Sequence, residues 1–271
     1  MVNRRVHTID WDRFLLPYEQ AVEELKVKFR SIRNELKRKE EYSPIEFVTG
    51  RLKKVSSILD KAARLGIPLE RVEEVPDIAG IRIMCQFVDD IDRVVQLIRQ
   101  RDGRDMEIVE ERDYIRHQKD SGYRSYHIII RYPIQTAEGE KKLLAEIQVR
   151  TLAMNFWATI EHSLNYKYKG NLPTQVRERL RAAAEAAFQL DREMSEIREE
   201  IKQAQRLFER KSNLVSSILR DLEQLESSGQ VEMATAFQER LHGLAGDFEG
   251  LRQLAEEVKE WLVQSGTGIT H

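Results

Sequence analysis

The spacing of apolar residues changes twice along this chain, and the two changes together restrict what it can fold into. From Asp10 to about residue 40, Phe14, Tyr18, Ala21, Val22, Leu25, Phe29, Ile32 and Leu36 recur at steps of three and four, one face of an amphipathic helix with Asp10 as its N-cap. Pro17 falls inside that pattern and predicts that the regular helix begins near it. Residues 43–65 keep a helical texture, carry Arg51, Lys53 and Lys54, and close on Gly66 and Pro68. Then the period shortens. Residues 81–87, 106–112, 126–132 and 143–149 are short runs rich in β-branched and aromatic types, which predicts strands. Between the first two, Ile91, Val94, Val95 and Ile98 share one helical face, and residues 136–141, with Gly139, read as the turn of an antiparallel hairpin. After Asn155 the helical period returns, and from Pro173 onward it is continuous. One stripe runs from Val176 to Leu207, a second from Leu214 to Leu225, a third through Met233, Phe237, Leu241 and Leu244, and a last from Phe248 to Leu262. The expected fold is α/β (α+β): a mixed sheet flanked by helices, followed by long C-terminal helices. The expected boundaries are a sheet domain with N-terminal helices over 10–172, a helical extension over 173–265 and a disordered tail at 266–271.

Charge narrows the function. Lys+Arg 44 against Asp+Glu 46 leaves a formal charge of −2, so the chain has no field that would attract nucleic acid as a whole, and single-stranded RNA gains no support from it. The single cysteine, Cys85, lies in an apolar run and reads as a buried strand residue; no disulfide can form within the chain, which fits a reducing compartment. The N-terminal residues offer no apolar signal region, and no apolar run is long enough to span a bilayer, so a cytoplasmic protein without a membrane partner is expected.

Four segments carry groups capable of chemistry. Asp77-Ile78-Ala79-Gly80-Ile81-Arg82 sets an acid just before a strand and a glycine inside it, a way to fix a carboxylate at a sheet edge, though a turn aspartate gives the same local pattern. In Ala145-Glu146-Ile147-Gln148-Val149-Arg150, alternation puts Glu146, Gln148 and Arg150 on one face, which is either a site or a solvated surface. The loop from Lys119 to His127 offers Lys119, Arg124 and His127 for phosphates, Gly122 for close approach, and Tyr123 and Tyr126 for stacking on a base. The segment from Asn155 to His162 opens a helix, and Asn155 there is equally an N-cap. The sequence lacks G-x-x-x-x-G-K-[ST], G-x-G-x-x-G, H-E-x-x-H, C-x-x-C and any His-Asp dipeptide. Phosphate chemistry without a P-loop calls for carboxylates to hold magnesium and dispersed basic residues.

Five segments, in order along residues 10–210, resemble the RelA/SpoT-type (p)ppGpp synthetases, specifically their small single-domain alarmone synthetases of the RelQ type. They are Ile45-Glu46-Phe47-Val48-Thr49-Gly50-Arg51, Asp77-Ile78-Ala79-Gly80-Ile81-Arg82, Ser121-Gly122-Tyr123-Arg124-Ser125-Tyr126-His127, Glu146-Ile147-Gln148-Val149-Arg150-Thr151 and Trp157-Ala158-Thr159-Ile160-Glu161-His162. The resemblance implies a nucleotidyltransferase-like fold and a reaction in which ATP and GTP or GDP give AMP and pppGpp or ppGpp, without a hydrolase domain. It implies that Asp77 and Glu146 hold Mg²⁺, with Glu146 as general base. It implies that Arg51 and Arg82 bracket adenine and that Lys53 and Arg112 serve ATP, while Tyr123, Lys119, His127 and Asn155 serve the guanosine nucleotide. It further implies a homotetramer with a (p)ppGpp effector site at Lys26, Arg30 and Phe47. Two features depart from the pattern: the mixed charges of Glu110-Glu111-Arg112-Asp113, and the stretch 213–271, whose stripes suggest subunit or partner contacts. The competing expectation is a catalytically silent module that binds (p)ppGpp or single-stranded RNA.

Overall fold

The computed structural model describes residues 9–168, 172–244 and 246–264, so the expected tail at 266–271 lies outside the described residues. Helix α1 (Trp11–Arg38) is capped as expected: the Asp10 side chain accepts from the Arg13 backbone N–H at 3.2 Å. Pro17 does not start the helix but sits inside it. An internal proline costs about 3 kcal/mol, and here the turn before it is held by packing, since Ile9, Trp11, Phe14 and Leu15 all rest on the core.

The segment 43–65 is not one helix. Its first part is strand β1 (Phe47–Leu52), followed by α2 (Val55–Leu65), which ends on Gly66 in the left-handed conformation. A 3₁₀ turn (Leu69–Glu74) leads into β2 (Ala79–Cys85), α3 (Val88–Arg99), β3 (Glu107–Asp113), β4 (Tyr126–Thr136), β5 (Gly139–Thr151) and α4 (Leu152–Lys167). The sheet order is β1-β2-β5-β4-β3. Strands β2 and β5 are parallel and the other neighbours antiparallel, with the expected hairpin closing between Thr136 and Gly139.

Register sorts the side chains. Ile81, Ile83, Ile128, Ile130, Ile147 and Val149 share one face and are buried with Tyr18, Leu25 and Phe29 of α1 and Ile91, Val94 and Ile98 of α3. Each such side chain contributes roughly 1.5–3 kcal/mol on burial. Pairing Arg51 with Gly80, Gly80 with Glu146, Arg82 with Gln148, and Gln148 with His127 puts the polar residues on the opposite face. The same alternation therefore builds the core and a chemical surface above it.

Packing divides the chain between Ser195 and Glu196. Helix α5 (Thr174–Ser227) crosses that division, and the sheet-bearing unit takes in its first turns, beyond the expected boundary at 172. The reason is side-chain chemistry: Ala184 and Asp191 of α5 are buried in that unit, and Thr151, at the end of β5, donates to Asp191 at 2.6 Å. The second unit has its own core, with Ile218, Leu222 and Leu225 of α5 packed against Phe237 of α6 (Val231–Gly243) and Leu251, Leu254 and Val258 of α7 (Phe248–Gln264). Among the described residues, no helix is long and apolar enough to cross a membrane.

Burial pushes the Asp191 carboxyl up to about 6, against the pull of the Thr151 hydrogen bond. The folded state thus favours the neutral form. That contribution is full below the ordinary carboxylate range near pH 4 and is lost as pH rises through 6. Asp191→Asn, which keeps an oxygen for Thr151, is expected to stabilise the protein by on the order of 1–2 kcal/mol at pH 8, with no gain near pH 4, as measured by thermal unfolding across that range.

Candidate active site

Strand β5 supplies the centre of the polar face. Ala145–Thr151 lies wholly in the interior, so the row Glu146, Gln148, Arg150 is buried rather than solvated. Glu146 is 6% exposed, and both of its oxygens are engaged. Oε1 accepts from His127 Nδ1 at 3.0 Å and Oε2 from Gln148 Nε2 at 2.6 Å. Burial alone pushes this carboxyl up, but the His127 hydrogen bond, the charge that ring carries when protonated, the Gln148 bond and the nearby Lys61 charge hold it down at about 2.

A chain of donors feeds that carboxylate. Arg150 Nη2 donates to the Tyr123 hydroxyl at 3.0 Å, that hydroxyl lies 2.8 Å from His127 Nε2, and His127 Nδ1 faces Glu146. Since an ionised carboxylate only accepts, Nδ1 carries a proton toward Glu146, while Nε2 faces the tyrosine hydroxyl. The Tyr123 ring also meets Tyr114 and His127 edge-on, at 6.1 and 5.8 Å, and Lys119 lies 5.0 Å from its centre. Burial raises the Tyr123 hydroxyl above its ordinary value, with the Arg150 charge opposing.

Asp77, before β2, forms the second centre. The Lys53 backbone N–H donates to the Ile78 carbonyl at 2.9 Å, which brings the Lys53 side chain beside Asp77. Asp77 Oδ2 then meets Lys53 Nζ at 2.7 Å and Lys61 Nζ at 2.9 Å. Asp77 Oδ1 is buried and has no hydrogen-bond partner among the described residues.

The arginines lie between these centres. Gly80 leaves the floor open for Arg51: a Cβ there would stand 3.3 Å from Arg51 Cγ. Arg82 Nε approaches Gln148 Oε1 at 3.4 Å, while burial and the charges of Arg150 and Arg51 push its guanidinium below its ordinary value. Gln148 also accepts from Arg150, whose buried Nε has no partner among the described residues. So much positive charge in a desolvated setting would be relieved by an anionic ligand.

The structure thus brings together Asp77 with Lys53, and Glu146 with His127 and Tyr123, with Arg51 and Arg82 on the same face. Arg112 shares that face by its pairing with His127, but its guanidinium is engaged by Glu110 at 2.6 Å. Asn155 is not an N-cap; Thr151 caps α4 by accepting from the Met154 N–H, and Asn155 lies half-buried in the first turn. Arg124, expected among the phosphate ligands, is instead buried against α5. Lys26 and Arg30 lie where α1 crosses β1: Lys26 pairs with Glu23 at 2.6 Å, Arg30 donates to the Val48 carbonyl at 3.2 Å, and Phe47 begins that strand, partly exposed. Sequence reasoning missed Lys61 and Tyr114.

The chain is similar to several known proteins. A region found in RelA / SpoT proteins is matched over residues 50–171. The chain is 61% identical over 201 residues to the GTP pyrophosphokinase YjbM of Bacillus subtilis, covering 74% of this chain and 94% of that protein. The small alarmone synthetase 1 of Bacillus subtilis, solved bound to its product pppGpp, superposes with a TM-score of 0.68 at 61% identity, over 70% of this chain and 97% of its own. The same synthetase bound to AMPCPP gives 0.64 at 58% identity, over 71% of this chain and 98% of its own.

Proposed function

The chain belongs to the RelA/SpoT family, among its small alarmone synthetases, and on that premise we propose that it transfers the pyrophosphate of ATP to the 3′-hydroxyl of GTP or GDP. The observation that carries this reading is Glu146: an ionised carboxylate in the middle of a sheet face, oriented by two donors and flanked by arginines on one side and a tyrosine platform on the other. The acceptor's 3′-oxygen attacks the β-phosphorus of ATP, the bond from that phosphorus to the α,β-bridging oxygen breaks, and AMP leaves with that oxygen. The hydroxyl proton passes to Glu146, which His127 and Gln148 aim. Arg51 and Arg82 take adenine between planar guanidinium faces, and Lys53 and Arg112 meet the ATP phosphates. Tyr123 stacks on guanine with Asn155 nearby, and Lys119 and His127 approach the acceptor's phosphates. Positioning and charge neutralisation account for most of the rate gain in such transfers.

Asp77 and Glu146 would hold Mg²⁺. The orphaned Asp77 Oδ1 suits a hard cation. When bound, the ion neutralises phosphate charge. The reading extends to a cytoplasmic homotetramer with a (p)ppGpp effector site at Lys26, Arg30 and Phe47; in its support, Arg30 of α1 donates to the Val48 carbonyl of β1, the strand that Phe47 begins.

Incubation with labelled ATP, Mg²⁺ and GTP or GDP tests the reaction. AMP and a 3′-pyrophosphorylated guanosine nucleotide are expected, and their absence would overturn it. Tyr123→Ala is expected to weaken GDP binding by about 1–3 kcal/mol while ATP-analogue binding holds, as read by calorimetry. Equal loss for both nucleotides removes Tyr123 from the acceptor side.

A further inference from the structure

The loop that carries Tyr123 is braced from outside the nucleotide row. Arg124, the next residue, is 7% exposed and engages α5 throughout. Its Nη2 pairs with Glu185 at 2.8 Å, its Nη1 lies 3.4 Å from the Ala184 carbonyl and 3.5 Å from the Gly122 carbonyl, and its guanidinium carbon stands 4.2 Å from the centre of the Phe188 ring. Gly122 has φ +86°, and a Cβ there would stand 2.7 Å from the Ala184 Cβ, so the loop backbone lies directly on the helix. Trp157 completes the contact by donating to the Leu180 carbonyl at 2.8 Å, and Trp157, Ala158 and Ala184 are buried with Tyr123 and Leu180 packed beside them.

From these contacts we infer that residues 180–188 of α5 set the position of the Tyr123 ring, and that Arg124 is a positioning residue for the acceptor nucleotide. The inference rests on the acceptor role proposed for Tyr123. Its physical basis is pre-organisation. Residues before Tyr126 precede the β4 ladder, so the loop has few backbone bonds of its own and its ordering cost falls on ligand binding unless something else fixes it. Arg124 fixes it with a planar fork that stacks on Phe188 and reaches two carbonyls, which an ammonium cannot reproduce. The ion pair is the lesser part, because Glu185 is half exposed.

The test is steady-state kinetics of the full chain with Arg124→Met, Arg124→Lys and Glu185→Ala, with ATP-analogue affinity and thermal unfolding measured alongside. Arg124→Met is expected to raise the KM for GDP by about tenfold to a hundredfold, with the KM for ATP within about twofold, because a small misplacement of a stacking group costs that much. Arg124→Lys should fall nearer to Arg124→Met than to wild type, and Glu185→Ala should raise only the GDP KM, by about twofold to fivefold. Equal rises in both KM values, or none, would overturn the inference while leaving wild-type product formation, and so the proposed reaction, intact. Should Arg124→Met unfold or lose ATP-analogue binding, Glu185→Ala decides: an unchanged GDP KM there overturns the inference too.

Discussion

Glu146→Gln is expected to lower kcat by about a thousandfold or more while GDP and a non-hydrolysable ATP analogue still bind within a few-fold. The size follows from what the amide cannot do. The carboxylate accepts from two donors, His127 Nδ1 and Gln148 Nε2. Glutamine offers one oxygen and one N–H₂, so one of those contacts becomes donor against donor, and relief by turning Gln148 would disturb the oxygen that takes the Arg150 bond. The base is lost and its orientation disturbed together. The effect should also be flat with pH. A carboxyl held at about 2 contributes its charge fully above the ordinary carboxylate range near pH 4 and loses it only as pH falls toward 2. The loss should therefore be the same at pH 6 and pH 9. Rapid-quench measurement of AMP formation checks this, and a variant retaining a tenth of the wild-type rate would remove Glu146 as the base.

Some of this site could be read in the sequence, and some could not, for reasons that lie in particular residues. Alternation along 145–150 was enough to align Glu146, Gln148 and Arg150, because β5 is a long strand with regular pairing on both sides. It could not say that the row is buried, which depends on what covers that face. Strand β1 escaped detection because it is an edge strand in which only Val48 is buried, so no alternation marks it, and the helical pattern of Ile58 and Ala62 follows at once. Lys61 carries no motif; only the packing of α2 brings it to Asp77. Arg124 had the right type for a phosphate ligand, but a strand-entry loop turns successive side chains to opposite sides, and α5, far along the chain, claims this one.

Asp77→Asn is expected to lower kcat/KM by about a thousandfold, equivalent to several kcal/mol of lost charge stabilisation in the transition state. Two oxygens of one carboxylate are treated differently here. Oδ2 is held by Lys53 and Lys61, whereas Oδ1 is buried with no partner among the described residues. An orphaned buried acceptor costs about 1–3 kcal/mol, and a fold keeps that cost where a ligand removes it. Asparagine preserves the shape, and its amide oxygen can still accept from both lysines, but it leaves two ammonium groups with one negative charge fewer and gives a divalent ion a neutral ligand. The measurement that separates the roles is Mn²⁺ binding by electron paramagnetic resonance, with and without the ATP analogue, beside the rate. Loss of both identifies Asp77 as a metal ligand. If Mn²⁺ affinity and rate both survive, Asp77 serves only to anchor Lys53 and Lys61, and those lysines, rather than a metal pair, neutralise the phosphates at this end of the face. A third pattern, retained Mn²⁺ with lost rate, would leave the ion on Glu146 and make Asp77 the group that keeps the lysines from competing for it, a division of labour that Lys61→Met should then partly reverse.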